Sequence, residues 1–183
     1  MKLHIPFKSS IYKEQLLLHL DQHWAKTLKQ NKNNRFIYSF LAVFGILILY
    51  GKSDAGFLFI FISLIGFVNY YRVRNLYKKA QKEILETVQK ESEAQMLYNE
   101  PTILECNEEY MIYKNYKFDI KLRWFAFKTY RVIDGHLFID LDQPTNASYI
   151  FSKDEMKTEE FDQLIAFIDR KIISNHAFVK ING

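Results

Sequence analysis

Two uncharged apolar stretches dominate the hydrophobic pattern of the chain. They cover residues 36–51 and 55–71, and only Lys52-Ser53-Asp54 separates them. As helices they are each about 24–26 Å long, somewhat short of the ~30 Å hydrocarbon core of a bilayer. Neither has a polar face at helical spacing, so each must be buried in lipid or in a large protein. The pattern predicts a two-helix transmembrane hairpin over residues 36–71, and the alternative is a hairpin buried inside a soluble domain.

The segments that flank this hairpin also have helical periodicity. Residues 1–35 are predicted to be a cytoplasmic lead with an amphipathic helix over 10–30, lying at the headgroup level or packed on the C-terminal domain. Residues 72–98 predict a connecting helix whose narrow apolar seam suits a partner helix. The seam consists of Val73, Tyr77, Ala80, Ile84 and Val88.

After Pro101 the apolar period changes from helical spacing to two. Strands are predicted over 103–106, 110–113, 116–124, 124–133, 137–141 and 148–151. Asp134-Gly135 is a strong two-residue hairpin signal, and a turn is predicted at 144–146. A closing helix is predicted over 158–174, with Thr158 as its N-cap. The fold class is therefore an α+β membrane protein: a transmembrane hairpin followed by a small antiparallel domain over 99–183, which a C-terminal helix caps.

Basic residues are distributed unevenly around the hairpin. The turn between the spans holds only Lys52, and the positive-inside rule therefore places both termini in the cytoplasm. Arg35, Lys52, Arg72 and Arg74 are expected at the membrane boundaries. The remaining flanking cations are Lys26, Lys29, Lys32, Lys78, Lys79 and Lys82.

The chain resembles the YcxB-like bacterial membrane proteins over nearly its whole length. The most specific stretches are Trp124-x-x-Phe127-Lys128, Gly135-x-Leu137-Phe138-Ile139, Lys153 and Glu160-Phe161-x-x-Leu164. Where the family often has Ile-Pro-Lys before the last helix, this chain has Phe151-Ser152-Lys153. The resemblance implies a protein of the bacterial inner membrane whose cytoplasmic C-terminal domain has a reduced pleckstrin-homology-type (PH-like) fold. It brings no established activity and no catalytic residues.

Charge and composition narrow the classes of function. The net charge is +4, but from Leu97 onward there are 11 Lys/Arg against 14 Asp/Glu, which argues against nucleic acid as a partner. A local basic cluster is the most suggestive feature of this part: Lys117, Lys121 and Arg123, with Lys128 and Arg131 following. If Lys117, Lys121 and Arg123 share one strand face, that face could bind anionic headgroups. A solvated sheet face is the alternative.

No pattern of catalytic residues is visible, so we expect no enzyme and no cofactor. His19 and His23 are four residues apart, which is half of a metal site, but no third ligand follows, and we expect no metal. The predicted function is a membrane-anchored, non-enzymatic binding or regulatory module. Its expected partners are membrane lipid and a protein or second copy. The alternative is an immunity protein that neutralises a membrane-acting toxin, with Gly45 and Gly66 as close-approach points for an intramembrane partner.

Overall fold

The computed structural model of the chain describes residues 1–143 and 147–181, apart from the side chains beyond Ile172. The chain divides into two compact units. One is the helical hairpin, Leu16–Glu86. The other, the sheet domain, joins Met1–Gln15 to the part of the chain that begins at Thr87.

Two long helices, α1 (Ser9–Tyr50) and α2 (Ala55–Tyr98), contain the apolar stretches. Each has a segment long and apolar enough to cross a membrane. The prediction of a separate lead helix ending at residue 30 is wrong, because α1 continues without a break into the first apolar stretch. No Gly or Pro lies between residues 7 and 44 to end it. If that stretch crosses a bilayer, the preceding turns cannot lie flat at the headgroup level.

The helical hairpin is held together by contacts along both helices. Ser63 Oγ donates to the Tyr38 carbonyl oxygen at 2.8 Å, and Asn31 Nδ2 donates to the carbonyl oxygen of Tyr70 at 3.1 Å. Tyr77 OH donates to the Asp21 carboxylate, and Val73, Tyr77, Ala80 and Ile84 are all partly buried. The partner helix predicted for this seam is therefore the N-terminal half of α1.

Over its described residues, the sheet domain has seven antiparallel strands in two sheets. The first sheet has the order β1 (Lys2–Ile5), β2 (Thr102–Cys106), β3 (Tyr110–Lys114), β4 (Asp119–Arg123). The second has the order β5 (Phe127–Ile133), β6 (His136–Leu141), β7 (Ser148–Ser152), and α3 (Thr158–Ile181) follows it. The α+β class is confirmed, and the 103–106, 110–113, 137–141 and 148–151 strands are confirmed to within two residues. The capping helix is also confirmed and begins at the predicted Thr158, but it continues seven residues beyond the predicted end at residue 174.

Strand β1 is the main difference from the sequence prediction. Residues 2–5 pair antiparallel with β2, with Leu3 opposite Leu104 and Ile5 opposite Thr102. Both α1 and α2 are thus inserted between two neighbouring strands of one sheet. The predicted lead over 1–35 is consequently divided, because its first 15 residues belong to the sheet domain and the rest to the hairpin.

Local turn chemistry explains the remaining differences. The Asn115 side chain accepts from the backbone amides of Lys117 (2.9 Å) and Phe118 (2.7 Å), which makes 115–118 a turn and delays β4 until Asp119. Residues 124–126 form a 3₁₀ turn, so the strand predicted from 124 begins at Phe127. The Asp134-Gly135 hairpin is confirmed, with φ of 51° and 77° as a type I′ turn requires. The predicted 144–146 turn lies outside the described residues.

The core of the sheet domain lies between the two sheets and α3. Alternate residues point inward, as in Leu104 and Cys106 of β2 or Leu137 and Ile139 of β6. From α3 the core receives a stripe at spacings of three and four: Phe161, Leu164, Ile168 and Ile172. Trp124 closes one end, where its Nε1 donates to the Asn107 carbonyl oxygen at 2.9 Å.

Candidate membrane-facing site

The outer surface of the helical hairpin is apolar and exposed. Sixteen large apolar side chains between residues 36 and 71 have from 42% to 90% of their surface exposed. The side chains that do become buried in the hairpin are small or polar, such as Ser63. Small residues between the helices let the backbones approach while bulky ones face outward, as is common in membrane helix pairs. The sixteen are Phe36, Ile37, Phe40, Val43, Phe44, Ile46, Leu47, Tyr50, Phe57, Leu58, Phe61, Ile62, Leu64, Ile65, Val68 and Tyr71.

Gly45, Gly56 and Gly66 face the interior of the hairpin. A Cβ on Gly45 would lie 2.9 Å from the Gly56 carbonyl oxygen, and one on Gly66 would collide with the Tyr38 ring. The close approach that these glycines permit is therefore between α1 and α2. The prediction that Gly45 and Gly66 offer approach points to an intramembrane partner is wrong, since both are buried inside the pair.

A basic collar surrounds the hairpin next to the apolar stretches. It comprises nine exposed cations within residues 26–35 of α1 and 72–82 of α2, and neither stretch contains Asp or Glu. By helical rise, all nine lie within about 17 Å of the last apolar residues. The Arg35 guanidinium lies over the rings of Phe36 (5.3 Å) and Tyr70 (5.9 Å), which positions it at the boundary. The collar consists of Lys26, Lys29, Lys32, Arg35, Arg72, Arg74, Lys78, Lys79 and Lys82.

The opposite end of the hairpin has a different charge balance. Lys52 lies in the turn between the helices in the left-handed region (φ 62°), and Asp54 follows it two residues later. The predicted boundary residues are therefore separated by the apolar stretches, with Arg35, Arg72 and Arg74 at one end and Lys52 at the other. Only the first end has an excess of cations.

Of the three strand cations predicted to share one face, only Lys121 and Arg123 do so. Lys117 lies in the 115–118 turn, where its Nζ is 3.9 Å from the Glu91 carboxylate. Lys121 and Arg123 do lie on the solvent-facing side of β4, and Lys121 Nζ lies 3.5 Å from the centre of the Tyr110 ring. On the same face, Lys114 pairs with Asp119 at 3.2 Å. The sheet face therefore has mixed charge.

Lys128 and Arg131 belong to the other sheet, on β5. Arg131 binds the Asp140 carboxylate through two hydrogen bonds, of 3.0 and 3.2 Å, and it lies over the Phe138 ring at 5.0 Å. Ser148 Oγ donates to the same carboxylate at 2.5 Å. Arg131 is thus bound within its own sheet, and it lies with Lys128 on a different sheet from Lys121 and Arg123.

The first turns of α1 are fixed within the sheet domain by a polar network. The Glu155 carboxylate accepts from Gln15 Nε2 and from the Ser152 backbone amide, both at 2.7 Å. Burial raises the pKa of Glu155, and these two hydrogen bonds partly offset the rise. The buried His136 has its Nε2 3.6 Å from the Glu14 carboxylate. The beginning of the helix that leads into the hairpin is therefore an integral part of the folded domain.

Cys106 and the His19–His23 pair do not belong to a metal-binding group in the described part of the chain. Burial raises the pKa of the Cys106 thiol to about 12, so it is a protonated core side chain at neutral pH. Among the described residues, no three His, Cys, Asp or Glu side chains are grouped to hold a metal ion. His19 and His23 lie on α1 within the hairpin.

The collar is the feature that sequence reasoning identified only in part. Its individual cations were recognised as flanking charges, but only the paired helices show that both segments are exposed and lie at the same end of the hairpin. The signal available in the sequence was the complete lack of acidic residues in both stretches. The chain matches no protein-family model, no curated protein and no solved structure.

Proposed function

We propose that the chain is an integral protein of the bacterial inner membrane whose hairpin crosses the bilayer and whose sheet domain is a cytoplasmic, non-enzymatic binding or regulatory module. The observation that carries this proposal is the exposed apolar surface between residues 36 and 71. At roughly 25 cal/mol per Å² of apolar surface, leaving sixteen large side chains in water would be very costly. Acyl chains would remove that cost, whereas a soluble protein of 183 residues would need to bury the hairpin in itself.

The pairing of β1 with β2 supports the proposed topology. Met1–Gln15 and the chain from Thr87 onward fold into one unit, so they must be in the same compartment. The segment between them therefore crosses a bilayer an even number of times. Two crossings satisfy this condition, and the collar end of the hairpin, rich in Lys and Arg, is then cytoplasmic by the positive-inside rule.

The fold of the sheet domain supports a binding role. Sheets of four and three antiparallel strands followed by a helix agree with the PH-like fold that the YcxB-like resemblance implies. In this proposal the domain recognises a protein or the inner-leaflet surface, and the hairpin keeps it at the membrane. The alternative of an immunity protein loses its structural support, because Gly45 and Gly66 pack inside the hairpin and do not offer a surface to an intramembrane partner. It stays a prediction that a toxin-protection assay would test.

Cysteine labelling tests the topology. A Ser53→Cys variant is expected to react with a membrane-impermeant maleimide in spheroplasts, because Ser53 lies in the exposed turn of the hairpin. Lys157→Cys, exposed on the sheet domain, should react only after the spheroplasts are lysed. The wild-type chain serves as its own control, since Cys106 is 1% exposed and its raised pKa disfavours the thiolate.

Two results would contradict the proposal. One is labelling of Lys157→Cys in sealed spheroplasts, which would place the sheet domain outside the cytoplasm. The other is recovery of the full chain as a monomer in the high-speed supernatant without detergent. To locate the active part, the hairpin can be replaced by an unrelated two-span hairpin, after which a captured protein partner should still bind the sheet domain.

A further inference from the structure

The collar has a charge density that nothing else in the described part of the chain approaches. Removing its nine cations from the 25 Lys and Arg of the chain leaves 16, against 21 Asp and Glu. The excess positive charge of the protein is therefore located in this one zone, and the rest is net acidic. Such a separation of charge costs free energy through repulsion among the cations, unless an anionic partner binds there.

The arrangement of the collar indicates what kind of anion this is. The nine cations are all exposed, and they are spread along two helix segments instead of converging from several elements on one point. Lys79 and Lys82 are each 3.8 Å from a carboxylate one turn further along, Glu83 and Glu86, but both pairs are exposed and contribute little. A band of this kind suits a layer of anionic groups better than a single compact ligand. The layer must also lie directly beside the apolar surface.

We propose that the collar binds the anionic phospholipid headgroups of the cytoplasmic leaflet, and thereby selects anionic lipids for the shell around the hairpin. This inference rests on the proposed function, because it needs the hairpin in a bilayer. Lys and Arg side chains next to the apolar stretches reach the phosphate level, and those a turn or two further out act through the surface potential within about one Debye length, near 10 Å. Arg35, held over Phe36 and Tyr70, lies at the phosphate level itself.

The test uses the full chain reconstituted in phosphatidylcholine bilayers with a trace of spin-labelled lipid. Electron paramagnetic resonance gives the motionally restricted fraction for labelled phosphatidylglycerol and for labelled phosphatidylcholine. For the wild type we expect phosphatidylglycerol to associate about fivefold more strongly than phosphatidylcholine. This factor corresponds to the attraction of about one Lys or Arg side chain for each anionic headgroup. The preference should fall steeply as salt is raised from 0.05 to about 1 M, because ions screen exposed charges.

A collar variant with six Lys→Gln changes should reduce the preference to less than twofold, while Arg35, Arg72 and Arg74 keep the orientation of the hairpin. Glutamine preserves helix propensity. The changed residues are Lys26, Lys29, Lys32, Lys78, Lys79 and Lys82. A control variant with the same loss of charge on the sheet domain should keep the wild-type preference. Its changes are at Lys2, Lys90, Lys114, Lys121, Lys153 and Lys157, all of them exposed.

The outcomes separate this inference from the proposed function. If neither labelled lipid is restricted by the wild type, the hairpin is not in the bilayer and the proposed function fails. If both lipids are restricted equally, or if the six-lysine collar variant keeps the full preference, only the headgroup inference is overturned. The salt dependence of the wild type provides an independent answer should the variant insert poorly, and a preference unchanged at high salt would also overturn the inference.

Discussion

Replacing Leu3 and Ile5 with alanine is expected to unfold the sheet domain or leave it barely stable. Both side chains are almost completely buried, at 6% and 4% exposed, although they lie about 100 residues from the rest of the core in sequence. A buried Leu or Ile changed to Ala costs about 2–5 kcal/mol, so the double variant should lose about 4–8 kcal/mol, allowing for coupling between neighbours. Domains of this size are stable by only about 5–15 kcal/mol.

The matched control is provided by the same strand. Lys2 and His4 alternate with Leu3 and Ile5 and point to the exposed face of β1, so Lys2→Ala/His4→Ala should change stability by less than about 1 kcal/mol. Urea unfolding in detergent micelles measures both variants. Tryptophan fluorescence is specific for the sheet domain in a Trp24→Phe background, because Trp124 is then the sole tryptophan and is buried in its core. Equal stability of the two double variants would show that β1 does not close the core.

This first prediction depends on the element that sequence reasoning missed. Residues 2–5 do alternate polar and apolar side chains, but four residues are too few to distinguish a strand from a helix start. The partner that makes them a strand, β2, lies beyond both long helices. Periodicity reports only on near neighbours, so a pairing closed by an insertion of some 95 residues is invisible to it.

Where the signal is local, the sequence was informative. The Asp134-Gly135 dipeptide predicted the β5–β6 turn because two adjacent residues with positive φ are needed there, and Asp and Gly tolerate that conformation. The apolar stretches predicted two long helices because their hydropathy and length are properties of consecutive residues. The Asn115 turn was missed because continuous alternation from Tyr116 outweighed a single side chain that binds two backbone amides.

For the candidate site, too, the sequence predicted the features that depend on consecutive residues and missed those that depend on distant ones. Net charge on each segment can be counted from the sequence, so the boundary cations Arg35, Arg72 and Arg74 were identified. Whether a cation is available depends on its partners, which come from other strands. Asp140, on the strand opposite Arg131, could be assigned to it only after the register of β5 and β6 was known. The cations between Lys117 and Arg131 are therefore close together in the sequence, but in the structure they are divided between a turn and strands of two sheets.

Changing Phe61 to Asp is expected to prevent stable insertion of α2 in most molecules. Phe61 lies in the middle third of the 55–71 stretch and is 62% exposed on the outer surface of the hairpin. Replacing an inserted Phe by Asp near the centre of a span costs about 3–4 kcal/mol, or more than a hundredfold in the insertion equilibrium. The fraction of the chain that resists alkaline carbonate extraction measures the effect, and Phe61→Leu, which preserves the apolar surface, should remain in the membrane.

Comparing Asp at two positions along the hairpin distinguishes a lipid environment from an aqueous one. Tyr50→Asp places the same charge beside the turn, where Tyr50 is 90% exposed and water is within reach, so it should cost far less than Phe61→Asp. If residues 36–71 were in water, the exposed Phe61→Asp change would be neutral or would improve solubility. A large loss at Phe61, a small one at Tyr50 and none for Phe61→Leu can arise only if the surroundings of the hairpin become more apolar toward its middle. Equal tolerance of Asp at both positions would exclude acyl chains as the environment of these helices.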